Sequence, residues 1–90
     1  MEKPDLYVVA RFLDIMYRNG PALKKTNIQM LLGLNYGRFI EYLDWLLKRQ
    51  LVAEKVDEEE GERIVLTPKG IDAYNTVVEW IKEMLDGVKI

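Results

Sequence analysis

The stretch Thr26-Asn27-Ile28-Gln29-Met30-Leu31-Leu32-Gly33-Leu34-Asn35-Tyr36-Gly37-Arg38-Phe39-Ile40 decides how this chain folds. Thr26-Asn27-Ile28-Gln29 has the form of a capping box, in which a hydroxyl and an amide side chain satisfy the free backbone donors at a helix start. Ile28, Leu31 and Leu32 supply an inward face, so a short helix is predicted over 26–33. It has to break at Gly33-Leu34-Asn35, because glycine permits the turn and Asn35 can cap a further helix. That helix is predicted over 35–49, with an inward stripe of Phe39 or Ile40, Leu43, Leu46 and Leu47.

Upstream, Leu6, Val9, Phe12, Leu13 and Met16 recur at three- and four-residue spacing. That predicts an amphipathic helix over 5–19, capped by Asp5 and ended by Asn19-Gly20-Pro21. Two helices joined by a turn of about three residues containing glycine are the helix-turn-helix signature. Downstream of Gln50 the periodicity changes to alternation. A hairpin is predicted over 51–66, turning in the acidic block that ends at Gly61-Glu62. Thr67-Pro68 then reads as an N-cap with proline at the first helical position, opening a final helix over 67–86. The expected fold class is mainly α with a small β-hairpin (α+β). The order is helix, helix, helix, strand, turn, strand, helix, in one domain spanning 1–90.

Ninety residues with 49% apolar content are enough for one compact core. Cysteine, histidine and serine are all absent. No Ser/His or Cys/His pair can form an activated nucleophile, so a non-enzymatic role is expected, with no cofactor. The carboxylates of 57–62 lack the alternating ligand spacing of a calcium loop, and no metal site is expected. No apolar run approaches membrane-spanning length and no charged-then-apolar leader precedes the first helix, so the chain reads as cytoplasmic. The formal charge is −2. It is unevenly distributed: Asp57, Glu58, Glu59, Glu60 and Glu62 carry −5, whereas the segment from Lys24 to Lys55 has six cations and three anions.

Two stretches carry a family resemblance: Leu34 through Val52, and the junction Leu66-Thr67-Pro68-Lys69-Gly70. Together they resemble the winged helix-turn-helix superfamily. The nearest likeness is to the small archaeal winged-helix DNA-binding proteins that dimerise through an antiparallel coiled coil of their C-terminal helices. A more distant one is to regulators of the MarR and PadR kinds. The likeness covers nearly the whole chain.

The resemblance implies a third helix that enters the major groove of duplex DNA, which makes its solvent-facing residues the candidates for contact. These are Asn35, Tyr36, Gly37, Arg38, Glu41, Tyr42 and Trp45. Arg38 is the foremost, because a guanidinium pairs bidentately with guanine or phosphate. Each has a plainer reading: Asn35 as an N-cap, Tyr36 and Tyr42 as half-buried packing aromatics, Arg38 as a solvated charge. Lys24 and Lys25 before the second helix, and Lys55 and Arg63 flanking the wing, are candidate phosphate contacts. In the final helix Ile71, Tyr74, Val78, Ile81 and Leu85 step by three and four, a heptad-like seam. Val77, Trp80 and Met84 widen the apolar surface beyond it. The resemblance makes that seam a homodimer interface; packing on the first helix within the monomer is the alternative. The expected function is DNA binding as a homodimer, regulatory or architectural. The acidic wing opposes a duplex over about 8 Å at physiological salt. It leaves open a protein-interaction module whose wing binds a basic protein partner.

Overall fold

The computed structural model describes residues 3–20 and 22–87, apart from the side chains at 82 and 85–87. Helix α1 spans Leu6–Arg18, strand β1 Ala22–Leu23, helix α2 Lys25–Leu32, helix α3 Tyr36–Lys48, strands β2 and β3 Val52–Asp57 and Gly61–Leu66, and helix α4 Pro68–Gly87. The strands form one antiparallel sheet in the order β1-β3-β2. The order of helices and hairpin is the expected one. The addition is β1, whose two residues after Pro21 are too few to show alternation; it exists because Ala22 and Leu23 pair with Val65 and Ile64.

Local chemistry sets most boundaries. The Asp5 carboxylate accepts the Tyr7 N–H at 2.9 Å and starts α1. The Asn35 side chain accepts the Arg38 N–H at 2.8 Å and starts α3. Gly33, in the left-handed region at φ 71°, closes α2 by donating its N–H to Gln29 and Met30. The capping box at Thr26 does not form. The N-cap is Lys24, whose carbonyl receives the Asn27 and Ile28 N–H groups at 3.1 Å, and its side chain caps nothing. Pairing of Leu23 with β3 ends the strand just before Lys24, so the N-cap falls two residues earlier than Thr26 and the helix begins at Lys25.

The core is built where α1, α2 and α3 meet the sheet. Val9, Phe12, Leu13 and Met16 of α1, Ile28 and Leu32 of α2, and Phe39, Tyr42, Leu43 and Leu46 of α3 are buried with Leu51, Val52, Ile64 and Tyr74. The Phe12 and Phe39 rings stack at 5.9 Å. Burying an aromatic or aliphatic side chain of this size stabilises by about 1.5–3 kcal/mol. Leu31, expected on the inward face of α2, is exposed, as is Leu6 of α1. Arg11 reaches from α1 to the Leu32 and Leu31 carbonyls at 3.2 Å, so a cation occupies the negative end of α2.

The Leu66–Gly70 junction has a specific mechanical role. The Thr67 hydroxyl accepts the Gly70 N–H at 3.0 Å and lies 2.6 Å from the Gln50 carbonyl oxygen and 3.0 Å from that of Leu51. The Lys69 ammonium donates to the Arg49 carbonyl at 2.9 Å. The start of α4 is thereby tied to the end of α3. Gly70 is buried against the Leu51 carbonyl, and a methyl group there would collide with that oxygen and approach Leu66 Cδ1 to 2.8 Å.

Helix α4 runs back along α1. The Tyr74 hydroxyl donates to Asp14 Oδ1 at 2.7 Å, and the Tyr74 and Tyr17 rings stack at 4.5 Å. Arg18 Nε bonds the same carboxylate oxygen at 2.8 Å. No helix among the described residues is long and apolar enough to cross a membrane.

Candidate nucleic-acid interface

Burying Phe39, Leu43 and Leu46 turns the N-terminal edge of α3 outward. Asn35, Tyr36, Gly37 and Arg38 all lie exposed on that edge. Asn35 is committed to capping through Oδ1. Tyr36 is 64% exposed, which separates it from the core aromatics. At Gly37 an added Cβ would make only ordinary contact, 3.6 Å from Asn35 Oδ1. The fold therefore does not require glycine there, and the bare backbone leaves room for close approach by a ligand. The Arg38 guanidinium lies 5.6 Å from the Tyr42 ring centroid.

Tyr42 is a correction. It is 1% exposed, one of the largest fully buried side chains, and its hydroxyl accepts the Asp5 N–H at 2.9 Å. Three residues after Phe39 and four before Leu46, it lies on the inward stripe, and its polar tip finds a backbone donor at the start of α1. It supports Arg38 from beneath and offers no surface of its own.

The wing divides by face. Strand register pairs Val52 with Leu66, Glu54 with Ile64 and Val56 with Glu62, and paired residues share a face of the sheet. That face contributes Val52 and Ile64 to the core and, further out, carries Glu54, Val56 and Glu62. The opposite face carries Lys55 paired with Arg63, and Ala53 with Val65. Three turn residues, Glu58 to Glu60, link the strands; Asp57 Oδ1 accepts the Glu59 and Glu60 N–H groups, and Gly61 adopts φ 80°. Those N–H bonds hold the Asp57 carboxyl below its ordinary value.

The four candidate phosphate contacts, Lys24, Lys25, Lys55 and Arg63, therefore fall into separate places. Lys24 is exposed at the α2 N-cap. Lys25 points to the wing, with Nζ 2.9 Å from Glu62 Oε1. That hydrogen bond raises the Lys25 ammonium above its ordinary value and lowers the Glu62 carboxyl; Glu54 adds to both shifts. Lys55 and Arg63 stand on the wing face opposite to Glu54 and Glu62, and Arg63 is drawn to Glu60 at 3.8 Å. Nothing in the sequence marks the Lys25–Glu62 pair, because the partners are 37 residues apart and meet only through the sheet register. Arg49, which stacks at 3.8 Å over the exposed side of Trp45, is a residue the sequence reading misses; its i+4 spacing from Trp45 is the signal that finds it.

A helix-turn-helix whose second helix leads with exposed residues, followed by a β-hairpin wing and a helix returning to α1, is a known arrangement. The winged helix-turn-helix family model matches residues 6–85. The chain belongs to that family. No curated protein sequence matches it. Among solved structures, this winged helix is similar to a winged-helix DNA-binding protein from STIV, with TM-score 0.81 at 19% identity, covering 92% of this chain and 96% of that one. It is also similar to Sso10a-2, a DNA-binding protein from Sulfolobus solfataricus, with TM-score 0.68 at 25% identity, covering 86% and 80%. A third likeness is to a MarR-family transcriptional regulator from Silicibacter pomeroyi, with TM-score 0.71 at 22% identity. That match covers 84% of this winged helix but 51% of the regulator, so the chain spans about half the regulator's length.

The seam expected on α4 is split by the fold. Tyr74 is buried against Asp14 and Tyr17, and Val78 packs against the core, so both serve the monomer. Ile71 and Ile81 remain partly exposed, while Leu85 lies outside the described side chains. The larger free apolar surface is displaced by one helical step, to Trp80 at 61% and Met84 at 53% exposure. Beside it, Leu6, Tyr7, Val9, Ala10, Val77 and Ile81 join Trp80 in lining an apolar groove of about 300 Å³.

Proposed function

We propose that this winged helix binds duplex DNA as a homodimer, as a transcriptional regulator or an architectural protein, with α3 in the major groove. The observation that carries the reading is the exposed N-terminal edge of α3, Asn35 to Arg38, standing on a helix whose other side is filled by core residues. Arg38 reads a base edge or clamps a phosphate, braced over the Tyr42 ring; Tyr36 lies alongside; Lys24 and Lys25 anchor neighbouring phosphates. Two structural relatives are described as DNA-binding, and a third as a transcriptional regulator, which supports the reading by analogy of fold. Lys55 and Arg63 drop to a secondary place, since they share neither wing face nor neighbourhood with Lys25.

The homodimer forms through the free apolar strip of α1 and α4, centred on Leu6, Tyr7, Trp80, Ile81 and Met84. Two recognition helices on a two-fold axis then set the half-site spacing.

The test is fluorescence anisotropy on a labelled duplex from about 50 to 200 mM salt, with Arg38→Ala in parallel. Saturable binding that weakens with salt, and about 10-fold weaker binding by the variant, is the expected result for one guanidinium contact. Absence of binding at low salt overturns the reading and directs attention to a basic protein partner for the carboxylates of the wing.

A further inference from the structure

We infer that Glu62 of the wing is a built-in competitor for the phosphate anchor Lys25, so that the wing tempers DNA binding by masking one cation of the interface. The inference rests on the DNA-binding reading above and adds a residue and a direction to it.

Three observations converge. Lys25 Nζ sits 2.9 Å from Glu62 Oε1, with the lysine side chain only 32% exposed, so the ammonium is already engaged in the free protein. The strand register places Glu62, Val56 and Glu54 on one wing face, the face that meets the α2 N-terminus, and sends Lys55 and Arg63 to the other. The hairpin thus presents carboxylates where the helix-turn-helix presents its cation. Finally, Glu54 adds a second carboxylate acting on Lys25, which deepens the local negative field. Elevation of the Lys25 ammonium and depression of the Glu62 carboxyl agree with this pairing.

A phosphate reaching Lys25 has to displace Glu62 and stand beside the freed carboxylate. Exposed pairs of this kind are weak enough to be exchanged, so the mask tunes affinity without abolishing it. In the masked state Lys25 contributes little to the counterion release that makes binding salt-dependent; once unmasked it contributes as one phosphate contact.

The experiment compares Glu62→Gln with Glu58→Gln on the whole chain, by anisotropy against duplex DNA over a salt series. Both variants remove one negative charge from the wing, but Glu58 lies in the turn and is not paired with Lys25. Glu62→Gln is expected to bind about 3-fold more tightly than Glu58→Gln, with a log–log salt slope steeper by about 0.9. Lys25→Ala, added to each, is expected to cost more affinity in the Glu62→Gln background than in the Glu58→Gln background. Equal affinities and equal slopes for the two Gln variants, in a protein that binds DNA, overturn the masking role and leave the DNA reading standing. No binding by the parent or any variant overturns both.

Discussion

Gly70 and Tyr42 show how much a single position decides. At Gly70 the first turn of α4 lies directly against the Leu51 backbone, and the missing Cβ is what allows Thr67 to bond the end of α3. Gly70→Ala forces the Leu51 carbonyl or the helix aside, a backbone displacement that no side-chain rotation relieves. The variant is expected to lose about 2–3 kcal/mol of stability, read as a lower urea midpoint. Tyr42 teaches the converse. Its position on the inward stripe is legible from its spacing to Phe39 and Leu46, but a phenol is amphipathic, and only the Asp5 N–H waiting at 2.9 Å allows its tip to be buried. Arg38 then has an aromatic face beneath it and solvent above.

At the scale of elements, the α1–α4 pair is held by a small polar clasp as well as by apolar contact. Asp14 accepts hydrogen bonds from both Tyr74 and Arg18. Burial works against its charged form, but these two bonds outweigh burial and leave the carboxyl below its ordinary value of 3.8. The same bond raises the Tyr74 phenol. A carboxyl depressed in the folded state stabilises the fold above its unfolded-state value and loses that contribution as pH falls through the folded one. Asp14→Asn is therefore expected to be less stable than the parent at pH 7, by about 1 kcal/mol for a partly exposed charged hydrogen bond. The gap should shrink as pH falls below 3.8 through the depressed folded-state value, measured as urea midpoints at pH 7 and in acid. A gap of unchanged size at low pH would assign the clasp no ionic character. The wing illustrates a second property of elements: strand register, not composition, decides which of its charges face the helices.

At the scale of the whole molecule, the described residues of α1 and α4 leave an apolar surface uncovered. Leu6 and Tyr7 are 72% and 70% exposed and stand beside Trp80 and Ile81 at the far end of the α1–α4 pair. Contiguous apolar surface of this kind is unusual on a monomer and is what a two-fold contact would bury. Trp80→Glu is expected to convert a dimer to a monomer in sedimentation equilibrium while leaving the far-ultraviolet circular dichroism intact, since the side chain takes no part in the monomer core. A parent protein that sediments as a monomer at all concentrations would remove the dimer from the proposed function without touching the recognition helix.

Local sequence was enough to set the order of elements and most of their ends. Helix periodicity, an Asp5, Asn35 or Thr67 cap, and the glycines at 33 and 61 act within a few residues, so their effects are readable without knowing the partner surfaces. It also marked Asn35 to Arg38 as the outward end of α3, because the inward stripe around them is regular. Folding in three dimensions added that β1 exists, that α2 starts at Lys25 rather than Thr26, and that Tyr74 serves the monomer instead of a seam. It also gave Lys25 its partner, Glu62. Each of these depends on contact between segments distant along the chain, where pairing and burial between elements override a preference that local sequence states correctly but weakly.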